Sequence, residues 1–289
     1  MSGFDPTSLL IPAGILGGVG LVFGSLIAVA HRYLRVWEDP RIEAVTDLLP
    51  GTNCGACGFA GCRAFAEGLV GGDAEPVGCT VSGPDEIGDV AAFLGVAAGE
   101  ATQRVARLLC AGGSHVALQL AEYRGLDTCS AAASVAGGGK GCTWGCLGLA
   151  DCDVACDFDA IHMNDVALPV VDPELCTACG DCVEACPKDL FTLMPVGQHL
   201  IVQCKSLLEG DAAEAICQVA CTACGRCAQD APEGVIAMRD GLAVIDYSHN
   251  HETSPDATLR CPTNAIVWVE GAQILTPITG AAPGSPVHA

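Results

Sequence analysis

The chain has 289 residues, of which 20 are cysteine, while aromatic residues make up only 4%. Aromatics bring the largest burial per side chain, so a large conventional core is excluded and bonds through sulfur or metal must take its place. A formal net charge of −21 argues against nucleic-acid binding, which needs a basic patch, and against docking on an anionic membrane face.

The first element lies in an apolar segment, Leu9 to Ala30, 22 residues without a charge. It accounts for a mean hydropathy of +0.42 in so acidic a chain. At about 1.5 Å per residue the segment can cross a hydrocarbon core of roughly 30 Å. Asp5 precedes it, and His31, Arg32 and Arg35 follow it. The positive-inside rule therefore places the bulk of the chain in the cytoplasm. Gly14-x3-Gly18 and Gly20-x3-Gly24 would allow close helix approach. A secretory signal is the rival reading, since Ala28-Val29-Ala30 looks like a cleavage site. It lacks the basic residues that precede a signal core, and export would deliver 20 cysteines to an oxidising compartment. The segment reads as an uncleaved, single-pass anchor.

Next come Cys54, Cys57, Cys62 and Cys79, with glycines at 55, 58 and 61 that let the backbone wrap closely. Four thiolates at such spacing suit zinc or an iron–sulfur cluster. Zinc ribbons pair one Cys-x2-Cys with another, and Cys79 has no such neighbour, so a 4Fe–4S cluster is favoured. Residues 86–109 and 116–122 are Ala-rich with helical periodicity and are expected to form packing helices. Gly137-Gly138-Gly139-Lys140 lacks the spacing of a phosphate-binding loop and reads as a loop wrapping a cluster.

The strongest signal is Cys176-x2-Cys179-x2-Cys182-x3-Cys186-Pro187. This is the bacterial ferredoxin run, in which three cysteines bind one cluster and the fourth binds another. Upstream lies Cys142-x3-Cys146-x5-Cys152-x3-Cys156, with Asp157 where proline is usual. The crossover rule assigns Cys142, Cys146, Cys152 and Cys186 to one cluster, and Cys156, Cys176, Cys179 and Cys182 to the next. The pattern recurs 75 residues on, where Cys221, Cys224, Cys227 and Cys261 remain while Ala231, His251, Ser254 and Ala257 stand where a second set of ligands would fall. One cluster is thus retained in this repeat and one removed. Cys110, Cys129, Cys204 and Cys217 follow no spacing rule. They are expected to pack as small apolar side chains, a fifth cluster being the alternative.

Apolar segments 160–163 and 167–171, 190–194 and 199–203, and 235–238 and 242–246 read as three hairpins, one behind each cysteine run. The fold class is α+β. A single N-terminal transmembrane helix (1–35) leads to a small helical four-cysteine 4Fe–4S domain (36–85) and a helical linking region (86–139). Tandem ferredoxin-like modules of two clusters (140–203) and one cluster (204–270) follow, then a disordered tail (271–289). Metal binding couples to folding, so the metal-free chain should be largely unstructured. No nucleophile–base pair and no nucleotide fingerprint appears, so no catalytic site is expected, only one-electron transfer.

The anchor, then NCGACGFAGC, GCLGLADCDVACDFDAIHM and CTACGDCVEACP in that order, resemble the B subunit of the Rnf complex, a membrane-bound ferredoxin:NAD oxidoreductase coupled to ion transport. The resemblance implies a polyferredoxin, for which the cysteine grouping above gives four 4Fe–4S clusters, or five if Cys110, Cys129, Cys204 and Cys217 join. It would take electrons from soluble ferredoxin or a similar donor and relay them to flavin-bearing membrane subunits. A redox sensor or scaffold, or a relay subunit of another membrane reductase or hydrogenase, are the alternatives. Several clusters along one chain favour a relay, because a sensor needs only one switchable site. Lys140, Lys188, Lys205 and Arg226 lie near cluster loops and are candidates for a partner's docking site.

Overall fold

The structure is a computed structural model that describes residues 7–34, 38–99 and 102–274. Helix α1 (Thr7–Leu34) contains Gly14–Leu34, a stretch with mean hydropathy 1.9 whose side chains all face outward. Among the described residues it is the one helix long and apolar enough to cross a membrane. Being apolar all round, it has no polar face to offer water. Asp5 and Arg35, which carry part of the orientation argument, lie outside the described residues.

Three helices build the first small core. Helix α2 (Pro40–Leu48) opens with Asp39, whose carboxylate accepts the Arg41 amide, followed by proline at the first helical position. Helix α3 (Cys62–Gly71) ends on Gly72 in the left-handed conformation (φ 82°), and α4 (Pro84–Leu94) ends on Gly95 in the same way (φ 70°). Val45, Phe65, Leu69 and Val90 are buried between them.

The expected helix over 86–109 therefore stops at Leu94, and its end is strand β1 (Arg104–Leu108). Val105 to Leu108 are all buried, and a short run buried throughout suits helix and strand equally. The expected helix at 116–122 does not form either. Flanked by Gly112-Gly113 and Gly125, the chain turns at 114–116, runs extended over 117–119 and bends at 120–121, bridging outward on two sides, Ala117 to Cys217 and Gln119 to Lys140.

Beyond it lie α5 (Cys129–Ser134), α6 (Asp151–Val154), β2 (Ile161–Met163), β3 (Pro169–Val171), α7 (Asp181–Ala185), β4 (Phe191–Pro195) and β5 (Leu200–Val202). The chain continues through α8 (Gly210–Ile216), α9 (Arg226–Asp230), β6 (Ile236–Arg239), β7 (Leu242–Ile245) and β8 (Ile266–Trp268). Residues 151–160 and 181–190 repeat one alternation of buried and exposed positions, residue for residue. Each stretch is a short helix that begins after a residue with positive φ (Ala150, Gly180) and passes a cysteine into a strand.

Two of the three expected hairpins form. Asn164 holds the β2–β3 turn by accepting the amides of Val166 and Leu168 on Oδ1. Asp240 and Gly241, both with positive φ, make the two-residue β6–β7 turn. The third does not form. Strand β4 pairs with β1, Leu108 opposite Phe191, and β5 pairs with β8, Val202 opposite Ile266. The strands around Gly197 are instead completed by segments far away in sequence. These pairings cross the boundaries expected near 139 and 203.

One core gathers Val105, Leu108, Ile161, Leu168 and Phe191, and another gathers Leu200, Val235, Ile236 and Ile266. The expected tail beyond 274 lies outside the described residues. Residues 271–274 are held: Gln273 donates to the Leu108 carbonyl at 2.6 Å and accepts its amide at 3.0 Å.

Candidate metal centres

All 20 cysteines are free thiols. Sixteen of them line four cavities, four to each. Cys156, Cys176, Cys179 and Cys182 surround the first, with Ala106, Ile161 and Leu193 as apolar wall. Cys129, Cys146, Cys152 and Cys186 surround the second, with Leu108 and Phe191. Cys110, Cys142, Cys204 and Cys217 surround the third, and Cys221, Cys224, Cys227 and Cys261 the fourth.

This grouping departs from the expected one at a single exchange. Cys129 takes the place assigned to Cys142, and Cys142 joins the other three cysteines expected to be plain core residues. The physical cause is visible on both sides. The Asp151 carboxylate accepts the amides of Cys129 and Ser130 at 2.8 and 3.0 Å, drawing Cys129 to the helix that carries Cys152. The 137–141 loop is tied to the extended segment by the bonds Leu120 N–H to Gly139 C=O and Gly141 N–H to Leu118 C=O, each 2.8 Å. That segment bridges to Cys217 on its other edge, so Cys142 is carried toward Cys217. Gly139 has φ 78°, and a Cβ there would collide with the Ala121 carbonyl.

Cys110, Cys129, Cys204 and Cys217 come from four separate stretches: after β1, at the start of α5, after β5 and after α8. No local spacing could have linked them. The available signal was the count, since 20 cysteines divide into fours without remainder.

The first motif is built differently. Asn53, itself at φ 51°, accepts the Cys62 amide on Oδ1 at 2.9 Å and donates to the Gly51 carbonyl, folding the loop back on the start of α3. Cys57, Cys62 and Cys79 pack against the core of Val45 and Phe65. In the second repeat, Ala257 is 1% exposed and Ala231 packs against the same core, while His251 pairs with Glu252 in solvent. Those positions now belong to packing and surface.

The metal-free sites favour neutral thiols. Burial pushes Cys146, Cys152 and Cys182 up to about 12, and Cys179, Cys204 and Cys227 up to about 11. Neighbouring thiols add to the rise at five of the six, as Cys110 does for Cys146 and Cys176 for Cys182. Only a bound metal can turn such a set into thiolates. Backbone amides already point at several sulfurs: Ala106 at Cys176 and Leu190 at Cys186, both at 3.5 Å, and Ser206 at Cys204 at 3.4 Å. Amides so placed stabilise sulfur that carries charge.

Among the described residues no three His, Cys, Asp or Glu side chains close on a single metal ion. Zinc would draw its sulfurs to about 3.7 Å of one another. Four-sulfur cavities with apolar walls fit the wider cube of a 4Fe–4S cluster. Two of the expected docking cations are engaged internally. Lys140 donates to the carbonyls of Gly112 and Cys146 at 2.5 Å, and Lys205 to that of Asp189 at 2.6 Å.

The fold and its sulfur-lined cavities define an iron–sulfur protein of the ferredoxin class with an apolar N-terminal helix. Residues 49–81 match the family described as "Putative Fe-S cluster" and residues 169–192 the "4Fe-4S binding domain" family. The B subunit of the Na(+)-translocating ferredoxin:NAD(+) oxidoreductase complex of Acetobacterium woodii is 45% identical over 90% of this chain and 78% of its own. The B subunit of the ion-translocating oxidoreductase complex of Methanosarcina acetivorans is 37% identical over 83% and 91%. The counterpart from the proton-translocating ferredoxin:NAD(+) oxidoreductase complex of Clostridium ljungdahlii is 38% identical over 86% and 88%. The chain belongs to this family, the B subunits of Rnf-type ion-translocating oxidoreductase complexes. Its role is electron transfer through iron–sulfur clusters, with the other subunits of such a complex as partners.

Proposed function

We propose that this subunit relays single electrons from soluble ferredoxin, or a donor of similar potential, to flavin-bearing membrane subunits of a ferredoxin:NAD oxidoreductase coupled to ion transport. It does so through five 4Fe–4S clusters, all 20 cysteines serving as ligands. Cys54, Cys57, Cys62 and Cys79 form one ligand set, and the four cavities supply the others. Such clusters supply reversible one-electron chemistry without proton transfer or bond breaking. The protein's part is to hold them in series, exclude water and set potentials. Helix α1 crosses the membrane once, with the remaining domains on the cytoplasmic side.

The observation that carries this reading is the resolution of sixteen cysteines into four cavities of four, with none of the sixteen sulfurs left over. Two of the cavities meet at the Cys110–Cys146 contact, so the series is continuous there. The reading is tested on anaerobically purified protein by iron and sulfide analysis together with reduction by ferredoxin. About 20 iron atoms per chain are expected for five cubes, and reduced ferredoxin should bleach their absorption. Sixteen or fewer irons, or clusters left oxidised, would overturn it.

A further inference from the structure

Arg107 is the one charged side chain among the buried residues described, 1% exposed on strand β1. Its Nη1 donates to the Gly271 carbonyl at 2.8 Å, and its Nε has no partner. Burying a cation costs several kcal/mol unless it is paired. The chain has 34 acidic residues, yet none of those described forms an ion pair with Arg107. Burial works against its charge, while the neighbouring Cys176 and Tyr247 favour it. Tyr247 donates its hydroxyl to the Leu200 carbonyl, and burial pushes it up to about 12, so it is neutral. Cys176 lines the cavity with Cys156, Cys179 and Cys182, and the amide next to Arg107, that of Ala106, points at its sulfur. Side chains alternate along a strand. Ala106 faces the cavity, so the guanidinium acts on it through the strand without touching a ligand.

We propose that Arg107 is the buried counter-charge of the cluster held by Cys156, Cys176, Cys179 and Cys182, and raises the reduction potential of that cluster more than that of any other. The inference rests on the iron–sulfur reading above. A cube held by four thiolates is negative when oxidised and more so when reduced. In the reduction one electron is added and no bond forms or breaks. A fixed cation in a low-dielectric site therefore favours the reduced state, and this cluster becomes an electron sink in a protein whose charge otherwise pushes potentials down. Arg107 is a positioning residue in this role, because it acts through the field.

The test is a redox titration of the full chain, followed by EPR, on Arg107→Gln, Arg107→Met and Arg107→Lys. The relevant signal is the one that Cys182→Ser removes. In the neutral variants its reduction equilibrium should fall about tenfold, which is about 59 mV for one electron, with the signal that Cys152→Ser removes shifting less, because Leu108 lines that cavity, and the remaining signals unmoved. Arg107→Lys should stay near wild type. Gln273→Ala loosens the 271–274 segment without changing charge and should leave the potential where it was. An unchanged midpoint in Arg107→Gln would overturn the proposal, as would an equal shift in Arg107→Lys or Gln273→Ala. Should both neutral variants lose this cluster while Arg107→Lys keeps it, the counter-charge role is upheld. Loss in Arg107→Lys as well would reduce the residue to packing. Iron content keeps the two readings apart: about 20 irons with an unmoved midpoint sinks the counter-charge alone.

Discussion

The Sγ of Cys110 accepts the backbone amide of Cys146 at 3.4 Å, so two sulfur-lined cavities share a wall. Cys110 belongs with Cys142, Cys204 and Cys217, and Cys146 with Cys129, Cys152 and Cys186. Serine substitutions separate this arrangement from the one that spacing suggests. Cys142→Ser and Cys217→Ser should abolish the same EPR signal, and Cys129→Ser should abolish the one lost in Cys152→Ser. Each single change should remove about four irons per chain or convert one cluster to a three-iron form. If Cys142→Ser instead removed the Cys152 signal, the grouping by cavity would be wrong.

The buried thiols fix how metal retention depends on pH. In the folded, metal-free sites burial raises Cys146, Cys152 and Cys182 from the ordinary thiol range to about 12. A raised value means that the folded metal-free chain holds its protons more tightly than the unfolded one. This contributes stability to the metal-free fold below about pH 9 that is lost as pH rises toward 12. Metal binding must displace those protons, so iron is held more tightly as pH rises. With the pH dependence of the chelator's own iron affinity measured separately and divided out, iron retained after dilution should increase from pH 7 to pH 9. A retention curve flat over that range would contradict the burial of these thiols.

What the sequence made legible was local. The run from Cys176 to Cys186 carries its geometry in its own spacing, and Asp240-Gly241 announces its turn because both residues tolerate positive φ. Partners that meet only in three dimensions were not legible. Val105 to Leu108 is apolar throughout apart from Arg107, so nothing in its pattern separates strand from helix until Phe191 to Pro195 is seen beside it. Nearness in sequence favoured Cys142 over Cys129 as companion to Cys146. The Asp151 carboxylate and the Gly139 backbone place Cys129, and not Cys142, in the cavity with Cys146, and neither carries a motif.

Gly139 offers a direct test of that backbone. Its φ of 78° disfavours any side chain, and a Cβ would meet the Ala121 carbonyl. The left-handed conformation alone costs a non-glycine residue about 1–2 kcal/mol, and the collision adds to it. Gly139→Ala should push the extended segment away from the 137–141 loop. The cluster at Cys110, Cys142, Cys204 and Cys217 should be lost first, removing about four irons. The signal dependent on Cys227, in the other repeat, should persist. Parallel loss of both signals would show that the loop supports the whole body and not this site.

Helix α1 makes the opposite prediction, of independence. Over Gly14–Leu34 none of its residues is buried against the rest of the chain, so its apolar surface contributes nothing to the cluster-bearing body. The next helix starts afresh, with its own Asp39 cap and Pro40. Removing residues 1–34 should leave a protein that stays in solution without detergent, because the exposed Leu16, Leu21, Phe23 and Ile27 go with the helix. Iron content, EPR signals and midpoints should match those of the full chain, while co-purification with membranes should fall at least tenfold. A truncated protein that lost iron would show that the helix packs on the body. A truncated protein that, expressed without the other subunits, still sedimented with membranes would show that α1 is not the anchor.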